Sequence, residues 1–263
     1  MLLALALALP ALLAQTAAPA LTLDEKEQFL QNARIVHTHD AKKGVTGTVR
    51  ATLSDGNITH DASIQRIEEE KERFQTVKGL EIAFRDSYKF NIAAYKLGKL
   101  LGLGGMIPPS VLRKYEGKSG AFTWWIEDVA MDEVERRRKN IEAPDHERWA
   151  RQYVIMNVFD NLIFNTDRNQ TNILYDKDWR LWMIDHTRAF RLHKYLMEEK
   201  ALNRCDSLLL ARLKELNEPT LKEQLRDWLR TAEINAILVR RDKIVAHYEM
   251  LGPEKLYDFL QAP

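Results

Sequence analysis

The stretch that most constrains this chain runs from Asp160 to Phe190, DNLIFNTDRNQTNILYDKDWRLWMIDHTRAF. Asn172 lies five positions after Asp167, and Asp185 thirteen after Asn172. Between the last two come Ile173-Leu174-Tyr175, the polar turn Asp176-Lys177-Asp178, and the apolar run Trp179 to Ile184. That pattern predicts a hairpin: a short strand, a turn, a second strand. Asn172 enters the first strand and Asp185 leaves the second, so an amide oxygen and a carboxylate meet at one end. A preceding Asp with two such oxygen groups suits phosphoryl transfer. The oxygens hold Mg²⁺ on phosphates, and the loop Asp takes the proton of an attacking hydroxyl. The Asp-x-x-x-x-Asn spacing alone is weak, because Asp and Asn are common turn residues.

The Asp-x-x-x-x-Asn loop, followed by an Asp at the end of the next hairpin, resembles the catalytic core of the protein-kinase-like fold. The wording NTDRNQTNIL and MIDHTRAF is similar to its atypical branches. These are the phosphatidylinositol 3-/4-kinase-like, HipA-type and secretory-pathway kinases, with an Asp-Arg loop and Ile-Asp-His where protein kinases have Asp-Phe-Gly. The resemblance implies an α+β, two-lobed fold. A small β-rich N-lobe with one main helix, residues 21–126, precedes a larger, mostly helical C-lobe, residues 127–263. It implies a bacterial member that transfers the γ-phosphate of ATP to a hydroxyl acceptor, with Mg or Mn. Asp167 is then the catalytic base, and Asn172 and Asp185 are the metal ligands. Only the Asp160–Phe190 run is specific; the rest agrees in element order.

The 263 residues suffice for one two-lobed domain or two small ones. A net charge of +1 gives no field that argues for nucleic acid as a partner. The single cysteine, Cys205, excludes an intrachain disulfide and has no activating neighbour in the sequence. Leu2 to Leu13 is an almost pure Leu/Ala run of about a dozen residues, too short to span a bilayer. It reads as the apolar core of a signal peptide within residues 1–20, cleaved after Ala14 or Ala20. No Lys or Arg precedes it, so a buried or disordered helix, or a different start, stays open. No second long apolar run follows, which predicts no stable transmembrane segment. Export, periplasmic or secreted, follows if the signal is real; otherwise the protein is cytoplasmic. Export sits uneasily with ATP chemistry.

Ahead of the core run, the pattern predicts a helix over Leu23–Arg34 and strands over Arg34–His39, Val45–Leu53 and Ile58–Ile67. Glu68–Arg73 reads as a solvated helix or loop. Asp86-Ser87 is set to cap a helix reaching Leu101. Strands follow from Pro108 to Tyr115 and from Ala121 to Asp128. Met131–Lys139, with its basic run Arg136-Arg137-Arg138-Lys139, reads as a solvated helix, with an acidic or lipid-headgroup substrate site as the other reading. Asp145–Phe164 is a buried helix leading into the Asp167 loop, and from Leu202 the chain reads as helices, one opened by a capping box at Thr220 and Glu223.

The resemblance assigns further parts. Lys43, Gly44 and Gly47, between the first two strands, are placed to cover phosphate. Gln65 falls at the position of the phosphate-binding Lys, and Asn91 at its Glu partner. Two amides hydrogen-bond each other but supply no positive charge; Arg66, Lys89 and Arg85 are the substitutes in reach. Trp125 to Met131 matches the adenine hinge, with Asp128 and Met131 as nucleotide contacts. Arg168 is expected to pair with Asp160, and His186 to bond locally. Arg188, Arg191 and His193 begin the activation segment, in reach of substrate or phosphate. His37 and His39 on one strand face resemble half a zinc site, but no third ligand is evident nearby, which argues against metal there. Three functions remain open: a phosphotransferase, a pseudokinase scaffold in which Gln65 and Asn91 mark lost transfer, and a nucleotidyl transferase.

Overall fold

In the computed structural model, residues 21–40, 48–76 and 79–260 are described. Helix α1 (Leu23–Asn32) opens on a reciprocal cap in which the Thr22 hydroxyl accepts from the Glu25 N–H at 3.2 Å and the Thr22 N–H donates to the Glu25 carboxylate at 2.7 Å. Strands β1 (Arg34–Asp40), β2 (Val49–Ser54) and β3 (Thr59–Gln65) follow. The turn between β2 and β3 closes on Asp55, whose carboxylate accepts from Asn57 and Ile58 N–H, both at 2.8 Å. With β6 (Ser110–Tyr115) and β7 (Lys118–Trp124) they form an antiparallel sheet in the order β1-β2-β3-β7-β6. Strand alternation sorts its faces. Ala51, Leu53, Ala62, Ile64, Phe122 and Trp124 pack under Phe29 and Leu30 of α1. The opposite face carries Thr52, Asp61, Ser63, Gln65 and Thr123, a polar ceiling.

One segment differs from expectation. Glu68–Arg73 is not a solvated helix but part of strand β4 (Glu68–Thr76), paired with β5 (Gly79–Ser87) in a separate hairpin. Its charges are held by distant partners. Glu68 meets Lys89 at 3.4 Å, and Arg230 grips Glu70 with two bonds of 2.8 and 2.6 Å. Phe74 and Phe84 pack 4.2 Å apart across it. Helix α2 (Lys89–Leu100) follows; Ser87 accepts from the Lys89 N–H at 3.2 Å, but Asp86 is turned to Arg188 instead of capping. Buried Phe90, Ala93, Ala94 and Leu97 tie α2 into the helical core.

Beyond β7 come β8 (Val129–Asp132), α3 (Glu133–Arg138) and α4 (His146–Ile163). The basic run on α3 is only partly solvated, because Arg136 and Arg137 both bond buried Glu133, each with a contact of 2.6 Å. Strands β9 (Ile173–Asp176) and β10 (Leu181–Met183) are the expected hairpin and form a three-stranded sheet with β8. Cys205 lies in β11 (Cys205–Asp206), which pairs in parallel with β12 (Leu256–Tyr257). Helices α5 (Ser207–Glu215), α6 (Glu218–Leu225) and α7 (Thr231–Leu251) complete the lobe. Asn217, not Thr220, caps α6, accepting from the Thr220 N–H at 3.0 Å. Pro219 in the first turn presets the backbone, and the helix starts three residues earlier than the Thr-Glu pattern indicated. Trp228 and Leu229 lie past the end of α6. Arg240 of α7 is fully buried and donates to the carbonyls of Leu162, Arg191 and His193. Burial lowers its pKa to about 9. Among the described residues, no helix is long and apolar enough to cross a membrane.

Candidate active site at the lobe junction

Helix α4 ends where Phe164 turns left-handed, at φ +50°. The chain then folds back on the helix end: Asn165 donates to the Asp160 backbone oxygen at 3.0 Å and to its carboxylate at 3.1 Å. Asn165 Oδ1 in turn accepts from the Asp167 N–H at 3.1 Å. This fixes the backbone of Asp167 while its carboxylate stays 40% exposed.

Arg168 staples the site. Its Nε and Nη2 donate to the Asp160 carboxylate at 2.9 and 3.1 Å, the expected pairing. Nη1 donates to the carbonyls of Asn172 at 3.0 Å and Ile184 at 2.8 Å. One guanidinium thus joins the end of α4, the entry to β9 and the exit from β10. The Ile184 N–H reaches the Asn172 carbonyl at 3.1 Å, and Asn172 Nδ2 donates to the Asp167 carbonyl at 3.3 Å. Asp167, Asn172 and Asp185 are therefore brought together as their spacing indicated.

Asp185 sits at φ +52°, a backbone region that costs a non-glycine residue about 1–3 kcal/mol and persists only where surroundings enforce it. Its Oδ1 accepts from the Thr187 hydroxyl at 3.1 Å. Burial raises its pKa; Thr187 opposes this, and the nearby Asp86 and Asp167 charges add to the rise. His186, next in sequence, is buried and contacts Arg168 Nη2 through Nε2 at 2.9 Å. Guanidinium only donates, so Nε2 accepts and the ring is neutral with its proton on Nδ1. Burial, and then Arg168, hold the His186 pKa well below the ordinary value.

Buried His60 is also shifted down, by burial first. Both groups take up protons more readily unfolded than folded below about pH 6.5. Stability is therefore expected to fall as the pH drops from about 6.5, by up to about 1.4 kcal/mol per pH unit per histidine. A His186→Gln variant keeps an acceptor for Arg168 and should flatten that slope in unfolding temperature against pH; an unchanged slope would contradict it.

Gln65 and Asn91 meet: Asn91 Nδ2 donates to Gln65 Oε1, and Asn91 Oδ1 accepts the His186 N–H at 2.7 Å. Neutral hydrogen bonds thus link β3, α2 and the Asp185 segment. The three substitute cations are engaged elsewhere. Arg66 pairs with Glu116 at 3.3 Å, Lys89 with Glu68, and buried Arg85 with Glu233. Lys43, Gly44 and Gly47 lie outside the described residues. In the hinge, Trp125 already uses its N–H on the Asp61 carbonyl at 3.1 Å and its carbonyl on His60 Nε2 at 2.9 Å. Asp128 is exposed and bonded to Lys177, while Met131 pairs with Tyr175 in the β8–β9 ladder and packs on the helical core. Trp124 is the lobe-packing tryptophan, stacked on His60 at 3.6 Å. His37 and His39 stand edge to face at 4.2 Å. Among the described residues, no three His, Cys, Asp or Glu side chains are grouped to hold a metal. Cys205 is buried and its thiol is pushed up to about 12, mainly by burial.

Beside the loop opens a cavity of about 780 Å³, lined by Tyr153, Asn161, Phe164, Thr166, His193 and Tyr195 among others. Asp167, Asn172 and Asp185 are not in its wall. Its walls come from four separated segments, so local spacing does not reveal it.

No family model and no curated protein matches this chain. Solved structures do. A hydra Fam20 structure with sugar is 16% identical at a TM-score of 0.62, over 90% of this chain and 92% of that one. The Helicobacter pylori proinflammatory kinase CtkA is 11% identical at a TM-score of 0.51, over 84% of this chain and 96% of that one. A likeness at such identity speaks to the fold alone, which is α+β and kinase-like.

Proposed function

We propose that this protein is a phosphotransferase that moves the γ-phosphate of ATP to a hydroxyl acceptor. The observation that carries the reading is the Arg168 staple, which gathers Asp167, Asn172 and Asp185 and leaves oxygens unspent. Asn172 Oδ1 and Asp185 Oδ2 accept no hydrogen bond among the described residues. Hard oxygen donors of this kind fit Mg²⁺ or Mn²⁺. Such ions commonly take one or two protein oxygens and complete their shell with phosphate and water, so a three-residue cage is not required. Once bound, the ion supplies charge neutralisation on the phosphates. Asp167 accepts the acceptor's hydroxyl proton as the oxygen–phosphorus bond forms and the bond to ADP breaks. The cavity beside Thr166 is the place for the acceptor, and the sugar in the hydra Fam20 structure favours a polyhydroxyl compound. Strand β7 ends at Trp124 and β8 opens at Val129, which supports a lobe division at residues 126 and 127. Export through a leader in residues 1–20 remains part of the proposal.

The neutral Gln65–Asn91 pair favours a second reading, a pseudokinase that binds nucleotide to hold a partner. The test is incubation with Mg²⁺ or Mn²⁺ and ATP labelled on either the γ- or the α-phosphate. Release or transfer of γ-label is expected. Label from the α-position on an acceptor would mean nucleotidyl transfer, and nucleotide binding without turnover would leave the scaffold.

A further inference from the structure

The site lacks the cation that its lysine position would supply, and one residue outside that position stands ready to replace it. Among the described cations near the site, Arg50 is tied to Asp61, Arg168 to Asp160, and Arg191 to Glu81. Arg188 differs. Its Nε donates to Asp86 at 2.8 Å, its guanidinium carbon lies 5.6 Å from the centre of the Phe84 ring, and its carbonyl accepts from the Thr166 hydroxyl at 3.1 Å. Neither Nη atom makes a hydrogen bond among the described residues, and Nη1 stands 3.8 Å from Asp167 Oδ2. The side chain is one-third exposed, whereas Asp86 is buried with Oδ1 unpartnered. The guanidinium is therefore anchored at its root, while its tip makes no hydrogen bond among the described residues and forms a long ion pair with the base.

Resting on the phosphotransferase reading, we propose that Arg188 is a catalytic residue that binds the transferring γ-phosphoryl group, with Asp86 its positioning residue. As the acceptor oxygen bonds to phosphorus and the bond to the β-phosphate oxygen breaks, Arg188 meets the charge on the equatorial oxygens. Asp167 takes the proton, and ADP leaves. A cation delivered from the activation segment does the work that Gln65 cannot. The Asp86 tether lowers the ordering cost of a long side chain.

The test compares ATP and ADP, each with Mg²⁺, on the full chain and on Arg188→Gln, Arg188→Lys and Asp86→Asn. Arg188→Gln is expected to weaken ATP about tenfold, one charge-assisted contact, and to leave ADP within about twofold. Turnover should fall about 10²-fold or more. Arg188→Lys should recover part of both losses, and Asp86→Asn should shift ATP in the same direction by less. An unchanged ATP-to-ADP ratio in Arg188→Gln would overturn the assignment. So would equal loss of both nucleotides with lowered unfolding temperature, which marks a strut between hairpin and loop. A wild-type chain that binds neither nucleotide would instead defeat the phosphotransferase reading, and the assignment with it.

Discussion

Replacing Asp167 with Asn is expected to lower γ-phosphate transfer by about 10²–10⁴-fold, the usual contribution of a general base. Unfolding temperature and ATP affinity should hardly move. Asp167 is held through its backbone, by Asn165 on one side and Asn172 on the other. Among the described residues its carboxylate makes only one long ion pair, with Arg188, at a half-open position where such contacts add little stability. Asn keeps the size and cannot take the proton. Steady-state release of γ-label, measured beside the melting curve, checks both halves. Turnover at the wild-type rate would remove Asp167 from the chemistry.

The second large effect is expected at Arg168. Its side chain and that of Asp160 are each less than 10% exposed, so a lone survivor is a buried charge without its partner. Arg168→Leu should cost about 3–5 kcal/mol for the broken pair. It also leaves the carbonyls of Asn172 and Ile184 without their donor. In a chain of this size that loss corresponds to roughly 6–20 °C in unfolding temperature. Nucleotide binding should fail with it, because the same guanidinium sets the distance between Asn172 and Asp185. Arg168→Lys is not expected to rescue, since one ammonium cannot serve a carboxylate, two carbonyls and an imidazole at once. A melting curve within 2 °C of wild type would contradict the staple.

Local spacing explains what was legible in the sequence. Asn172 and Asp185 flank one hairpin, so a polar turn between apolar runs fixed their meeting. Asp160 and Arg168 straddle a helix end, close enough to make Asp160 one candidate partner for Arg168, and the structure pairs them. The Gln65–Asn91 contact followed from element order, since β3 and α2 face each other in this fold. What was hidden depends on residues far apart. The run from Glu68 to Arg73 is exposed, as its charges indicated, but it is a strand whose partners, Arg230 and the Arg85–Glu233 pair, lie some 150 positions away or across the hairpin. Asp86 seemed a helix cap until Arg188 claimed it. Arg240 has no sequence mark at all: it is buried by three carbonyls from two segments that precede it by dozens of residues. Asn217 overrode Thr220 because a proline inside the first turn moved the start of α6.

The most direct test of the central claim is thermal unfolding with and without ATP and Mg²⁺ or Mn²⁺, beside an Asp185→Asn control. Ligand at a hundred times its dissociation constant adds about 2.7 kcal/mol to the folded state. The expected result is a stabilising shift that needs both nucleotide and metal and disappears in Asp185→Asn. No shift with either metal, or a shift that survives in the control, would contradict a metal–nucleotide site built on Asn172 and Asp185.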